Sequence, residues 1–163
     1  MNNSSKREGA GHPLNFEKFA SEGNAFILSI ADELGVGRNR AARITRALLH
    51  ALRDRVPADD AVEFAQGLPM ALKAVFLDQY DISDTPVVIR NRDDFLGFIY
   101  DKAGRTAAAD FAEPGSVEKA LQGFFRVLYE YMDRHQVLAL KRLLGKDIGM
   151  LIDRGMPYTN FVL

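Results

Sequence analysis

Arg43, Arg46, His50 and Arg53 recur three and four residues apart in a stretch that otherwise reads as helix. At about 100° per residue their side chains fall within roughly 80° of one another, which makes one basic stripe. Guanidinium groups in such a row can hold a phosphate, a nucleic-acid backbone or an acidic partner through charge-assisted hydrogen bonds. The row can equally be a solvated face whose charge is neutralised by Asp54, Asp59, Asp60 and Glu63, which follow closely in sequence. Ile44, Leu48, Ala51 and Leu52 lie on the other side, so the stripe is expected to face solvent while the helix packs.

The remaining reactive residues form no catalytic constellation. The histidines are His12, His50 and His135, and none stands in a nucleophile-elbow or zinc-protease motif. His50 as an acid or base in a pocket between the two halves of the chain is the one enzymatic reading left. Asp59, Asp60 and Glu63, and likewise Asp93 with Asp94, lack the alternating ligands and central glycine of a calcium loop, and helix capping accounts for them. Gly35 and Gly37 follow no strand and precede no Gly-Lys-Ser/Thr, so they read as a helix stop and not a phosphate loop. Cys is absent, which removes disulfides, thiolate nucleophiles and cysteine zinc sites together. No metal and no cofactor are expected.

The elements that must carry the stripe are legible from periodicity. With 163 residues, 47% hydrophobic and 26% charged, the chain has the size and composition of one globular domain. Its 21 Lys and Arg against 22 Asp and Glu leave a net charge of −1, so no global field attracts nucleic acid or anionic lipid. No apolar run is long enough to span a bilayer and no secretory signal is recognised, so a cytoplasmic location is expected. Residues 1–14 are polar and read as a disordered arm, followed by a single all-helical domain over 15–163. A first helix is predicted over Gly23 to Leu34, ending at Gly35, and a second over Arg40 to Val56, ended by Pro57. A third, capped by Asp59 or Asp60, covers Ala61 to Leu68, and a fourth covers Met70 to Leu77 after Pro69. Ile82 to Ile89 reads as extended chain or one short strand.

After this linker the pattern begins again. Phe26 answers to Phe95 and Gly35 to Gly104. Leu52, Val56, Ala61, Phe64, Leu68, Leu72 and Phe76 then align without a gap with Leu128, Met132, Val137, Leu140, Leu144, Ile148 and Ile152. The predicted fold is therefore an all-α bundle of two similar three- or four-helix units, pseudo-repeats 23–78 and 93–154. Ala107 to Ala109 add a helical turn in the longer loop of the second copy, and the basic stripe is not repeated there.

The run Arg46-Ala47-Leu48-Leu49-His50-Ala51-Leu52-Arg53-Asp54-Arg55-Val56, followed by Gln66-Gly67-Leu68-Pro69, resembles the bacterial family known as domain of unknown function 2267. The resemblance extends over roughly Phe26 to Ile152. It implies a helical fold and a bacterial source, and it carries over no catalytic residue. Asp78-Gln79-Tyr80-Asp81 and Gly145 depart from the family pattern.

Two apolar surfaces invite a partner: Leu121, Phe124, Phe125, Leu128 and Met132, which cover more than one helix face, and the terminal Phe161, Val162 and Leu163. The leading expectation is a non-enzymatic protein-interaction module that forms a homodimer or meets another protein. The rival is nucleic-acid or phosphate binding through Arg43, Arg46, His50 and Arg53.

Overall fold

The computed structural model describes residues 14–157, so His12, most of the predicted arm and the terminal Phe161, Val162 and Leu163 lie outside the described residues. Among the described residues there are nine α-helices and no strand. They are α1 (Phe16–Leu34), α2 (Arg38–Arg55), α3 (Ala58–Ala65), α4 (Met70–Leu77), α5 (Arg92–Lys102), α6 (Ala107–Asp110), α7 (Ser116–Tyr131), α8 (Arg134–Leu143) and α9 (Lys146–Arg154).

Helix α1 begins at Phe16, two turns before the predicted Gly23. Asn15 caps it by accepting the Lys18 amide at 3.1 Å, and Phe16, Phe19 and Gly23 continue its apolar ladder backwards. Gly35 ends it in the left-handed region (φ 66°), where glycine carries no Cβ penalty. Helix α2 likewise starts earlier than predicted, at Arg38. Helix α3 runs over Ala58–Ala65 and its N-cap is Pro57. Asp59 and Asp60 therefore do not cap it but sit in its first turn, where a carboxylate still complements the helix dipole. The same correction applies to α5: Asn91 is the cap, accepting the Asp94 amide at 2.9 Å, and Asp93 and Asp94 occupy the first turn.

The linker forms no strand. It holds a 3-10 turn at Ile82–Asp84 and then hangs on α2, because the Val87 amide finds the Asp54 carbonyl at 2.7 Å and no neighbouring extended chain.

Packing centres on α2 and α7, each of which touches α1, α5 and the other. Leu48, Leu49 and Leu52 of α2 and Leu121, Phe124, Phe125 and Leu128 of α7 are fully buried, and Met132 is nearly so. The first of the two candidate partner surfaces is thus core: α7 is covered on several sides by α1, α2, α5, α8 and α9, which uses its wide apolar face. The seven aligned positions from Leu52 to Phe76 and their counterparts from Leu128 to Ile152 are all buried. Val56 and Met132 end α2 and α7 in nearly the same extended backbone, φ −112° and −122°.

Candidate functional site

The stripe on α2 does not face solvent along its length. His50 and Arg53 are buried, and only Arg43 and Arg46 keep 44% of their side chains exposed. Each of the four is engaged within the chain. Arg43 grips the buried Asp110 carboxylate through Nε and Nη2, the shortest contact being 2.8 Å, and Thr106 donates to the same carboxylate at 2.6 Å. Arg46 Nη2 donates to Gln79 Oε1 at 3.0 Å and stands 3.4 Å from Asp78. His50 Nε2 lies 2.7 Å from the Val75 carbonyl; a carbonyl only accepts, so Nε2 carries a proton and donates it.

Arg53 is the centre of this network. Its Nε and Nη2 reach both oxygens of Asp54 at 2.7 and 3.3 Å, and Nη1 donates to the Phe76 and Asp78 carbonyls at 2.8 Å each. The guanidinium also lies over the Tyr80 ring, 4.7 Å from its centroid. Lys102 of α5 closes the network on Asp54 at 2.6 Å. One buried cation thus ties α2 to the C-terminal end of α4, and through Asp54 to α5. Asp54 takes up the stripe's charge as expected from sequence. The other two carboxylates are Asp78 and Asp110, distant in sequence, instead of Asp59, Asp60 and Glu63.

Burial would raise the Asp54 carboxyl, but hydrogen bonds from Arg53 and Lys102 outweigh it and hold the group below its ordinary value. Asp110 follows the same balance, with Arg43 and Thr106 as donors. For His50, burial dominates and lowers the imidazole, with Arg53 and Arg46 repelling its proton further, against the Val75 hydrogen bond.

Arg46, His50, Arg53 and Asp54 line a polar cleft of about 350 Å³ closed by the linker and by Lys102. His50 is therefore brought to a cleft between the two halves, whereas Arg43 is not part of it. Among the described residues no group of three or more His, Asp or Glu is placed to hold a metal ion, and no helix is long and apolar enough to cross a membrane.

Sequence reasoning passed over a second surface. An apolar groove of about 360 Å³ runs between α1, α2 and α4, walled by Ala20, Gly23, Ile27, Ala42, Ala71 and Val75. Its floor is narrow because α1 approaches α4 closely at Gly23: a Cβ built there would stand 2.7 Å from the Ala71 Cβ. Arg46 forms part of the groove's rim as well as the cleft's. Beyond the groove the first turn of α1 carries the core-facing side of the helix into open solvent, with Leu14 76% and Phe16 71% exposed. Phe16 and Phe19 meet edge to face, 6.2 Å between centroids, and Phe19 is half-buried. The signal was present in the sequence as the ladder Phe16, Phe19, Ala20, Gly23 and Ile27, three and four residues apart.

No curated protein matches the chain. The conserved family described as "Uncharacterized conserved protein (DUF2267)" matches residues 23–151, more than half of the chain and nearly all of its helices, and the chain belongs to that family.

Proposed function

We propose that this protein is a non-enzymatic helical interaction module that self-associates through α1. The observation that carries the proposal is the juxtaposition on one helix of an exposed phenyl ring, Phe16, with the half-buried Phe19 beside it, and an apolar groove one to two turns further on. Knob and hole on the same surface make that surface self-complementary. An antiparallel, two-fold pairing of α1 with α1 of a second copy seats each copy's phenyl rings in the other's groove. Large apolar side chains left on a core-facing stripe are the ordinary mark of such an interface. The engagement of His50 Nε2 by a backbone carbonyl and the internal pairing of Arg43, Arg46 and Arg53 support this reading over catalysis or polyanion binding at the stripe.

Solution mass by light scattering tests it, on the full chain, on Phe16→Glu and on a chain truncated after Pro157. A two-chain particle that Phe16→Glu reduces to one chain, and that truncation leaves intact, is the expected result. A one-chain particle for the full chain at about 100 μM overturns the proposal, since a specific dimer binds more tightly than that. A dimer lost on truncation overturns the α1 assignment and moves the interface to Phe161, Val162 and Leu163.

A further inference from the structure

Away from both surfaces, the end of α2, the linker and the start of α9 meet around a cleft of about 290 Å³. Arg55, Arg90 and Lys146 line it, one from each element, together with Asn91, Gly145 and Asp147. None of the three cations has a carboxylate within ion-pair distance among the described residues. That sets them apart from Arg43, Arg46 and Arg53, whose charge is committed internally. Arg55 adds a separate sign, because its Nε is shielded from solvent and has no acceptor. A buried donor left without a partner is uncommon, and it leaves this guanidinium less committed within the chain than those of Arg43 and Arg53.

The backbone supports the same reading. Helix α9 starts without a side-chain cap, behind Gly145 at φ 92°, a conformation that side chains other than glycine rarely adopt. A Cβ built at Gly145 meets nothing within 4 Å, so the space before the helix is open. Its first amides therefore have no side-chain capping oxygen, and their partial positive charge lies at the helix end that Gly145 and Lys146 bring to the cleft. A neighbouring cleft of about 300 Å³ shares Asn91 and Asp147 and adds Arg92, Asp93, Met150 and Arg154, so its two cations are balanced by two carboxylates and the excess positive charge belongs to the first cleft. On a chain of net charge −1 this is a local concentration of charge.

We infer that Arg55, Arg90 and Lys146 form a binding site for the phosphate group of a small phosphomonoester. A tetrahedral oxyanion accepts from guanidinium, ammonium and backbone amide at once, which suits this mixture of donors. The cleft exceeds a bare phosphate, and the adjoining cleft gives room to the organic part of the ester. Asp147, exposed in the first turn of α9, opposes the anion and keeps the affinity modest. The site is independent of α1 pairing, so it stands or falls apart from the self-association described above.

The test is calorimetric titration of the full chain with ribose 5-phosphate, inorganic phosphate and ribose at constant ionic strength. Ribose 5-phosphate is expected to bind saturably and more tightly than inorganic phosphate, and ribose not at all. Arg90→Ala and Lys146→Ala, both exposed positions, should each weaken binding by about ten-fold, the loss of one hydrogen bond to a charged group. Asp147→Asn should tighten it, and Arg105→Ala, an equal charge change at an exposed turn elsewhere, should leave it unchanged. Absence of saturation at ~10 mM ribose 5-phosphate overturns the proposal. So does an equal loss in Arg105→Ala, which would mean diffuse attraction and no site. Equal affinity for inorganic phosphate and the ester overturns the part of the proposal that concerns the organic group.

Discussion

Replacing Arg53 by alanine is the perturbation that the network makes most consequential. The change removes a guanidinium held by Asp54 and by the Phe76 and Asp78 carbonyls, and leaves the nearly buried Asp54 carboxylate with Lys102 alone. Breaking a buried pair by deleting one partner costs about 3–5 kcal/mol. Lys102 remains at 2.6 Å and is 27% exposed, so the lower end, about 3 kcal/mol, is expected here. For a domain of this size that is a large share of a total stability of about 5–15 kcal/mol, and it lowers the melting temperature by roughly 6–12 °C. Urea unfolding followed by far-UV circular dichroism reads the loss. Arg53→Lys keeps the charge without the planar fork and should recover only part of it. The double change Arg53→Met with Asp54→Leu removes both charges together and should recover most of it. The pH profile supplies a second readout. The folded Asp54 pKa lies below the ordinary 3.8, so its contribution is complete above that value and is lost as pH falls through the lower folded value. Arg53→Ala should shrink this acid-side loss. A change under about 1 kcal/mol at neutral pH would refute the reasoning, because it would place the pair among surface ion pairs of little consequence.

His50 and Gly23 give two further expected outcomes. His50 has a folded pKa below 6.5, so the unfolded chain binds the extra proton: stability is complete above pH 6.5 and declines as pH falls below it. His50→Gln, whose amide can still donate to the Val75 carbonyl, should flatten the urea midpoint between about pH 7 and pH 5.5, and an unchanged slope there would show that His50 is not the group titrating. Gly23→Ala sets a Cβ 2.7 Å from the Ala71 Cβ, and neither atom can rotate away. The helices α1 and α4 must separate, at a cost of about 1–3 kcal/mol measured by the same unfolding assay, and a neutral or stabilising result would mean that this contact relaxes freely.

The helices and their core faces were legible in the sequence because periodicity is a local property. Leu48, Leu52, Phe64 and Phe76 could be assigned inward from their own neighbours, and so could the break at Gly35. Helix starts were less legible, since a start is set by one residue: Asn15, whose side chain accepts the Lys18 amide, and Pro57, which makes no side-chain capping bond, stand where Gly23, Asp59 and Asp60 are expected from sequence. The candidate site was read less well. The angular stripe of Arg43, Arg46, His50 and Arg53 is real, but whether an arginine on a helix meets water or a carbonyl depends on what packs beside it. The C-terminal end of α4 covers Arg53, and α6 brings Asp110 to Arg43.

The sequence by itself determined that the chain is helical, that α2 is basic on one side, and that it resembles the family to which it belongs. Each of these rests on residue type and short-range spacing, which survive without knowledge of the fold. Only the tertiary structure decided which charges are already paired and which remain free. The charge of Arg53 is taken up by partners from 54 to 80 in the chain, while Arg55, two residues on, lines the cleft at the start of α9 and finds no carboxylate. The physical reason is that electrostatic partnership falls off over a few ångströms in space and bears no relation to distance along the chain. The overhang of α1 is of the same kind. Its apolar ladder was visible as spacing, but that α2 and α4 stop short of Phe16 is a consequence of how the helices are stacked.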